Sequence, residues 1–149
     1  MINPWESNYK SHQGNVGLGR AIAYYTSQCI PVLLPLNDTQ KYDLVVDKDG
    51  KLQRVSVKTT KGRSSSGTSF NVQLKNCGGT SKQSKIRNFD NTSCDILFVV
   101  TIEGTMYEIP SSLIKAHTQL TLSKDWDDYI VTLDSSIGIS ISKNDEVEN

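Results

Sequence analysis

Cysteine is scarce and odd in number, with residues at 29, 77 and 94 and no CxxC pair, and histidine occurs only at 12 and 117. These counts argue against a disulfide framework and against a zinc centre, and they fit a reducing, cytoplasmic setting. No apolar run approaches the roughly 18–20 residues of a spanning helix. The opening residues 1–6 lack the basic and apolar regions of a signal peptide. An excess of one charge sign is missing too, since 16 Lys and Arg face 16 Asp and Glu. Mean hydropathy is low at −0.39. Even so, zero net charge and apolar runs at 30–36 and 96–102 do not make a disorder composition. The 149 residues suit one domain, expected over 1–133, with a polar, acidic tail over 134–149.

The nil net charge conceals an imbalance. Residues 41–90 carry eleven basic and four acidic side chains, a local charge of +7, whereas residues 91–149 carry three and ten, or −7. A basic middle beside an acidic end is what a face for a polyanion requires. It is equally what an ordinary surface shows when its charges pair across the fold.

Val16, Leu18, Ile22, Tyr25 and Cys29 recur near helical spacing, which predicts a first helix over about 15–28. Its three glycines weaken helix propensity and admit a close backbone neighbour or DNA. The GLG step has no strand before it and no Gly-Lys-Ser/Thr after it, so it is not a nucleotide cradle. Strands follow at 31–36, 42–46, 52–60, 68–75, 95–102 and 106–109, with late pieces at 120–122 and 129–133. Residues 76–88 read as a long loop and 110–116 as a short helix. The apolar 95–102 run is the best central strand. The resulting class is α/β (α+β), a mixed central sheet flanked by helices.

Asp49-Gly50 between two alternating runs marks a tight hairpin. That turn sets Asp43 opposite Ser56, with Lys58 one same-face step further. Leu44, Val46, Val55 and Val57 then form the core face, with Tyr42 and Gln53 at its ends. An aspartate beside a lysine on adjacent strands has definite chemistry available. The carboxylate, helped by a strand carbonyl such as that of Val57, can hold a hard divalent cation, which suits Mg²⁺. The cation acidifies a bound water, and the lysine positions that water or stabilises the charged transition state. The same residues, taken alone, also describe a solvated hairpin face with an ion pair worth about 0.2–1 kcal/mol.

The segments DLVVD, the DG turn and VSVKTT resemble the PD-(D/E)XK nuclease core. With GNVGLGRAIAYYTSQ before them and FDNTSCDILFVVTIEGTMYEIPSS after them, the chain more narrowly resembles bacterial group I intron-associated homing endonucleases, over about residues 11–133. The resemblance implies a restriction-endonuclease-like core and Mg²⁺-dependent cleavage of double-stranded DNA by a homo-oligomer, a dimer or tetramer. It makes Asp43 the motif aspartate and Lys58 the motif lysine. Ser56 stands where an acid or Gln is usual, and Leu18 where the first helix often supplies an acid. A DNA-binding protein that cuts poorly is therefore an alternative on the same fold, and a plain interaction domain is a third.

DNA contacts would come from the basic middle: Lys61, Arg63, Lys75, Lys82, Lys85 and Arg87 on phosphates, with Arg63, Gln73 and Lys75 placed to read base edges. Trp5, Tyr24, Tyr25, Phe98 and Trp126 are expected in the core or an interface.

Overall fold

The computed structural model describes residues 3–6, 10–77 and 86–133. The expected tail, together with Lys82 and Lys85, lies outside the described residues.

Helix α1 spans Lys10–Ser27, beginning five residues earlier than hydropathy predicts, because its first turns are polar and carry no apolar period. Gly17, Ala21 and Tyr25 form its buried stripe, one turn apart. The helix ends at Cys29, whose φ of 57° is left-handed. There the Ile30 amide reaches the Tyr25 carbonyl at 2.9 Å and the Cys29 amide the Thr26 carbonyl at 3.0 Å, the paired bonds of a Schellman stop.

Strands β1 (Val32–Leu33), β2 (Leu44–Lys48), β3 (Lys51–Thr60), β7 (Ile96–Thr101), β8 (Met106–Pro110) and β10 (Ile130–Val131) make one sheet in the order β1-β2-β3-β7-β8-β10. Only the β3–β7 pairing is parallel, so the sheet is mixed. Pro31 and Pro35 cut the strand expected over 31–36 down to the two residues of β1. Asp49 and Gly50 have φ of 54° and 82°, the two positive angles of a type I′ turn. The hairpin register follows, from Leu44 opposite Val55 to Lys48 opposite Lys51.

One face of the sheet packs on α1 through Leu44, Val46, Val55, Phe98 and Val100. The other is covered by a second, two-stranded ribbon, β4 (Phe70–Gln73) antiparallel to β9 (Gln119–Leu122). Phe70, Val72, Leu120 and Leu122 of the ribbon bury against Leu97, Val99 and Ile109. All six residues of β7 are buried, as a strand covered on both faces must be. A Phe98→Ala change there would cost about 3–5 kcal/mol. Tyr42 packs with the ribbon side and not with the α1 side. The Asp43 amide bonds the Val55 carbonyl at 2.8 Å before β2 begins, and the strict alternation does not extend back to Tyr42.

Residues 76–88, expected to be loop, include a two-residue pairing of β5 (Asn76–Cys77) with β6 (Ile86–Arg87). The short helix expected over 110–116 is a 3-10 turn at Ser111–Leu113, and an unexpected 3-10 helix occupies Lys124–Tyr129. Among the described residues no helix is long and apolar enough to cross a membrane.

Candidate active site

Beyond the Leu44–Val55 rung, β2 stops and β3 runs on, paired with β7 alone. This one-sided stretch opens a cleft of about 510 Å³ lined by Asp43, Ser56, Val57 and Lys58. Alternation along β3 turns Ser56 and Lys58 to the same side, and the hairpin register brings Asp43 to them. The Asp43 carboxylate takes the amide that β2 no longer pairs: Val57 N–H donates to Asp43 Oδ2 at 2.6 Å. One carboxylate oxygen is thereby fixed at the mouth of the cleft.

Ser56 is 5% exposed, so this part of the hairpin face is not an open solvated surface. Beneath it the Cys94 thiol is pushed up in pKa, mainly by burial, against smaller opposing effects from the Ser111 hydroxyl and the Ser56 amide. A buried thiol of that kind is unreactive.

Loops and strand β6 bring further charge to the cleft. Lys41, Lys75 and Arg87 line it beside Lys58, against the carboxylates of Asp38, Asp43 and Asp90. The Asp90 carboxyl lies below its usual range because the Thr92 hydroxyl and then the Thr92 amide donate to it, both to Oδ1, at 2.6 and 2.9 Å. Lys41, Asp38 and Asp90 were not singled out from the sequence. Their loops carry no periodic signal, although Lys41 stands only two residues before Asp43.

Lys61 and Arg63, also expected to contact DNA, lie in a second place. Lys61 donates to the Trp5 carbonyl at 2.9 Å. It lines a groove of about 430 Å³ with Lys10, Arg63, Asn71, Gln73 and Gln119. Arg63 is held by an ion pair to Glu103 and lies 4.2 Å over the Phe70 ring. Leu18, where a helix acid is often found, packs in the apolar cluster on the α1 side of the sheet. Glu6 does not line the cleft.

Asp43 carboxylate, Val57 carbonyl and Ser56 hydroxyl are hard oxygen donors. Such a set fits Mg²⁺, which binds through one or two carboxylates and keeps several waters. Among the described residues no three His, Cys, Asp or Glu side chains converge as a metal cluster, so the fit is to a cation held largely by water and phosphate.

A mixed sheet with one helix on its α1 side and a polar cleft at the end of the β2–β3 hairpin defines a nuclease-type α/β fold. The same fold is found in a bacterial homing endonuclease, I-Ssp6803I, with a TM-score of 0.65 and 22% identity over 79% of this chain and 80% of that one. Residues 9–126 match the model of the PD-(D/E)XK endonuclease family, and the chain belongs to that family. No curated protein matches the sequence.

Proposed function

We propose that the chain is a Mg²⁺-dependent endonuclease cutting double-stranded DNA at specific sites, with the 510 Å³ cleft as its active site. The observation that carries this reading is the convergence of Asp43, Ser56, Val57 and Lys58 on one cleft that also gathers Lys41, Lys75 and Arg87. Asp43 and the Val57 carbonyl would hold the cation. When bound, it acidifies a water and offsets charge growing on the phosphoryl group. The Val57 amide keeps Asp43 oriented. Lys58 directs its ammonium group to the phosphate and the attacking water. Lys41, Lys75 and Arg87 dock the flanking phosphates. Ser56 would offer a neutral hydroxyl where an acid is usual.

Its likeness to a homing endonuclease extends the proposal to a long site met by a homo-oligomer, dimer or tetramer, with a group I intron as the genetic setting and the cytoplasm as the place of action. Two-fold symmetry would double the reach of a 16.5 kDa chain. Light scattering at working concentration checks this, and a monomer would count against it.

A second reading, DNA binding with impaired cleavage, has its own support. Ser56 is neutral, Leu18 is apolar, and the other cleft carboxylates, Asp38 and Asp90, are exposed on loops. A Mg²⁺ titration on random-sequence duplexes and supercoiled plasmid separates the two. The wild type should cut with Mg²⁺ and not with chelator, while Asp43→Asn and Lys58→Ala lose about 10²-fold or more. Retention of DNA without any cut, even after Ser56→Gln, would establish the second reading.

A further inference from the structure

The outer face of the β4–β9 ribbon is unusual in its chemistry. Its inner positions are apolar, and its outer positions are Asn71 and Gln73 on β4 opposite Thr121 and Gln119 on β9. None of the four is charged, and each offers a donor and an acceptor. They are held in pairs. Gln73 Nε2 donates to Gln119 Oε1 at 2.8 Å, and Thr121 Oγ1 donates to Asn71 Oδ1 at 2.8 Å. The first pairing leaves the Gln73 carbonyl and the Gln119 amide N–H groups open among the described residues, an acceptor beside donors. Adenine presents the complement in the major groove, an N6 donor beside the N7 acceptor.

The surroundings suit a polyanion. The groove shared by Asn71, Gln73 and Gln119 is also lined by Lys10, Lys61 and Arg63, with no acid lining it. Arg63 is committed to Glu103 and to the Phe70 ring, so it is a fixed part of the groove wall, and the positive charge of the groove comes from Lys10 and Lys61. A two-stranded antiparallel ribbon has the width that the major groove admits.

The ribbon is also indexed to the cleft. The Asn71 amide donates to the Gly62 carbonyl at 2.8 Å, and Thr60 Oγ1 donates to the Asn71 carbonyl at 2.5 Å. Those bonds tie β4 to the chain just beyond Lys58. At its other end, Lys75 enters the cleft two residues after Gln73, about 7 Å along an extended chain.

We propose that the polar face of the β4–β9 ribbon reads base edges in the DNA major groove, with the Gln73–Gln119 pair selecting adenine near the phosphates held in the cleft. The inference rests on the DNA-cleaving reading above and adds the element that supplies its specificity.

The test selects duplexes from a random library with the full chain carrying Asp43→Asn, which blocks cutting, and with the same chain also carrying Gln73→Ala and Gln119→Ala. The first should enrich a site with a fixed adenine, and the second should lose that preference by about tenfold or more. Gln119→Glu should move the preference toward cytosine, whose N4 group donates to a carboxylate. Melting curves of all variants check the fold. An identical base preference after both alanine changes, in chains that melt normally, overturns the ribbon inference and leaves the endonuclease reading standing. If the parent chain retains no duplex at all, the DNA reading itself fails and the ribbon inference with it.

Discussion

At the residue scale, the pair Asp95–Arg54 shows how a single carboxylate places the cleft. Asp95 Oδ2 accepts the Arg54 amide at 2.8 Å and Arg54 Nε at 3.2 Å, and Oδ1 accepts Nη2 at 3.2 Å. The Asp95 amide returns a bond to the Arg54 carbonyl at 2.8 Å. These bonds clamp the start of β7 to β3 two residues before Ser56. The Arg54 guanidinium, and then the Arg54 amide, hold the Asp95 carboxyl below its usual range. A carboxylate depressed on folding stabilises the protein above its unfolded pKa of about 3.9, and that contribution is lost as pH falls through its own lower value. Both side chains are more than a third exposed, so screening limits the contribution to about 1 kcal/mol. Asp95→Asn should therefore lower the urea midpoint near neutral pH, and the gap to wild type should close in strong acid. A gap that persists or widens on acidification would refute the linkage. Sequence reasoning reached Asp43, Ser56 and Lys58 because a DG turn fixes register across a short hairpin. It did not reach Asp95, whose partner is 41 positions away across a parallel pairing that no local pattern encodes.

At the scale of the element, α1 sits where it does because of one glycine. A Cβ on Gly17 would lie 2.4 Å from Thr59 Cγ2 and 3.3 Å from Val57 Cγ1, both on β3. Val57 and Thr59 flank Lys58, so this contact presses the helix against the back of the strand that carries Lys58. Thr59 is β-branched and stiff, and it cannot swing aside cheaply. Gly17→Ala should thus destabilise by about 1–3 kcal/mol of overpacking, reduced by up to about 1 kcal/mol of helix propensity. Gly14 and Gly19 have nothing within 4 Å of a built Cβ, and alanine there should stabilise by about 0.5–1 kcal/mol. Urea unfolding of the three variants gives opposite signs if this is right. Thr59→Ser in the Gly17→Ala background should recover part of the loss, as coupled neighbours do. The helix, the hairpin and the apolar β7 were legible because each has a period or a turn of its own. That these glycines differ was not, since the distinction lies in which strand lies behind each of them.

At the scale of the whole molecule, the opposed charges of the two sequence halves pair in part across the fold, Lys48 with Glu108, Arg54 with Asp95 and Arg63 with Glu103. Asp125, Asp127 and Asp128 lie in the 3-10 helix that leads into β10, the far edge of the sheet, whereas the cleft opens at the β2–β3 end. The strand order responsible includes the parallel β3–β7 step, and the second basic groove depends on the β4–β9 pairing. Neither non-local pairing can be read from strand periodicity, so the sequence counted the basic side chains of the middle segment but did not show which of them pair with acids and which line the two grooves. If DNA follows the cleft, its binding releases counterions in proportion to the phosphates engaged. Lys75→Ala and Arg87→Ala should each weaken binding alike on all sequences and reduce the slope of log affinity against log salt by about one. Lys124→Ala, next to those acids and outside both basic clefts, should leave the slope unchanged. Fluorescence anisotropy on one duplex across a salt series measures all three. Equal slopes for wild type, Lys75→Ala and Arg87→Ala would place the phosphates elsewhere and remove the cleft from the path of the DNA.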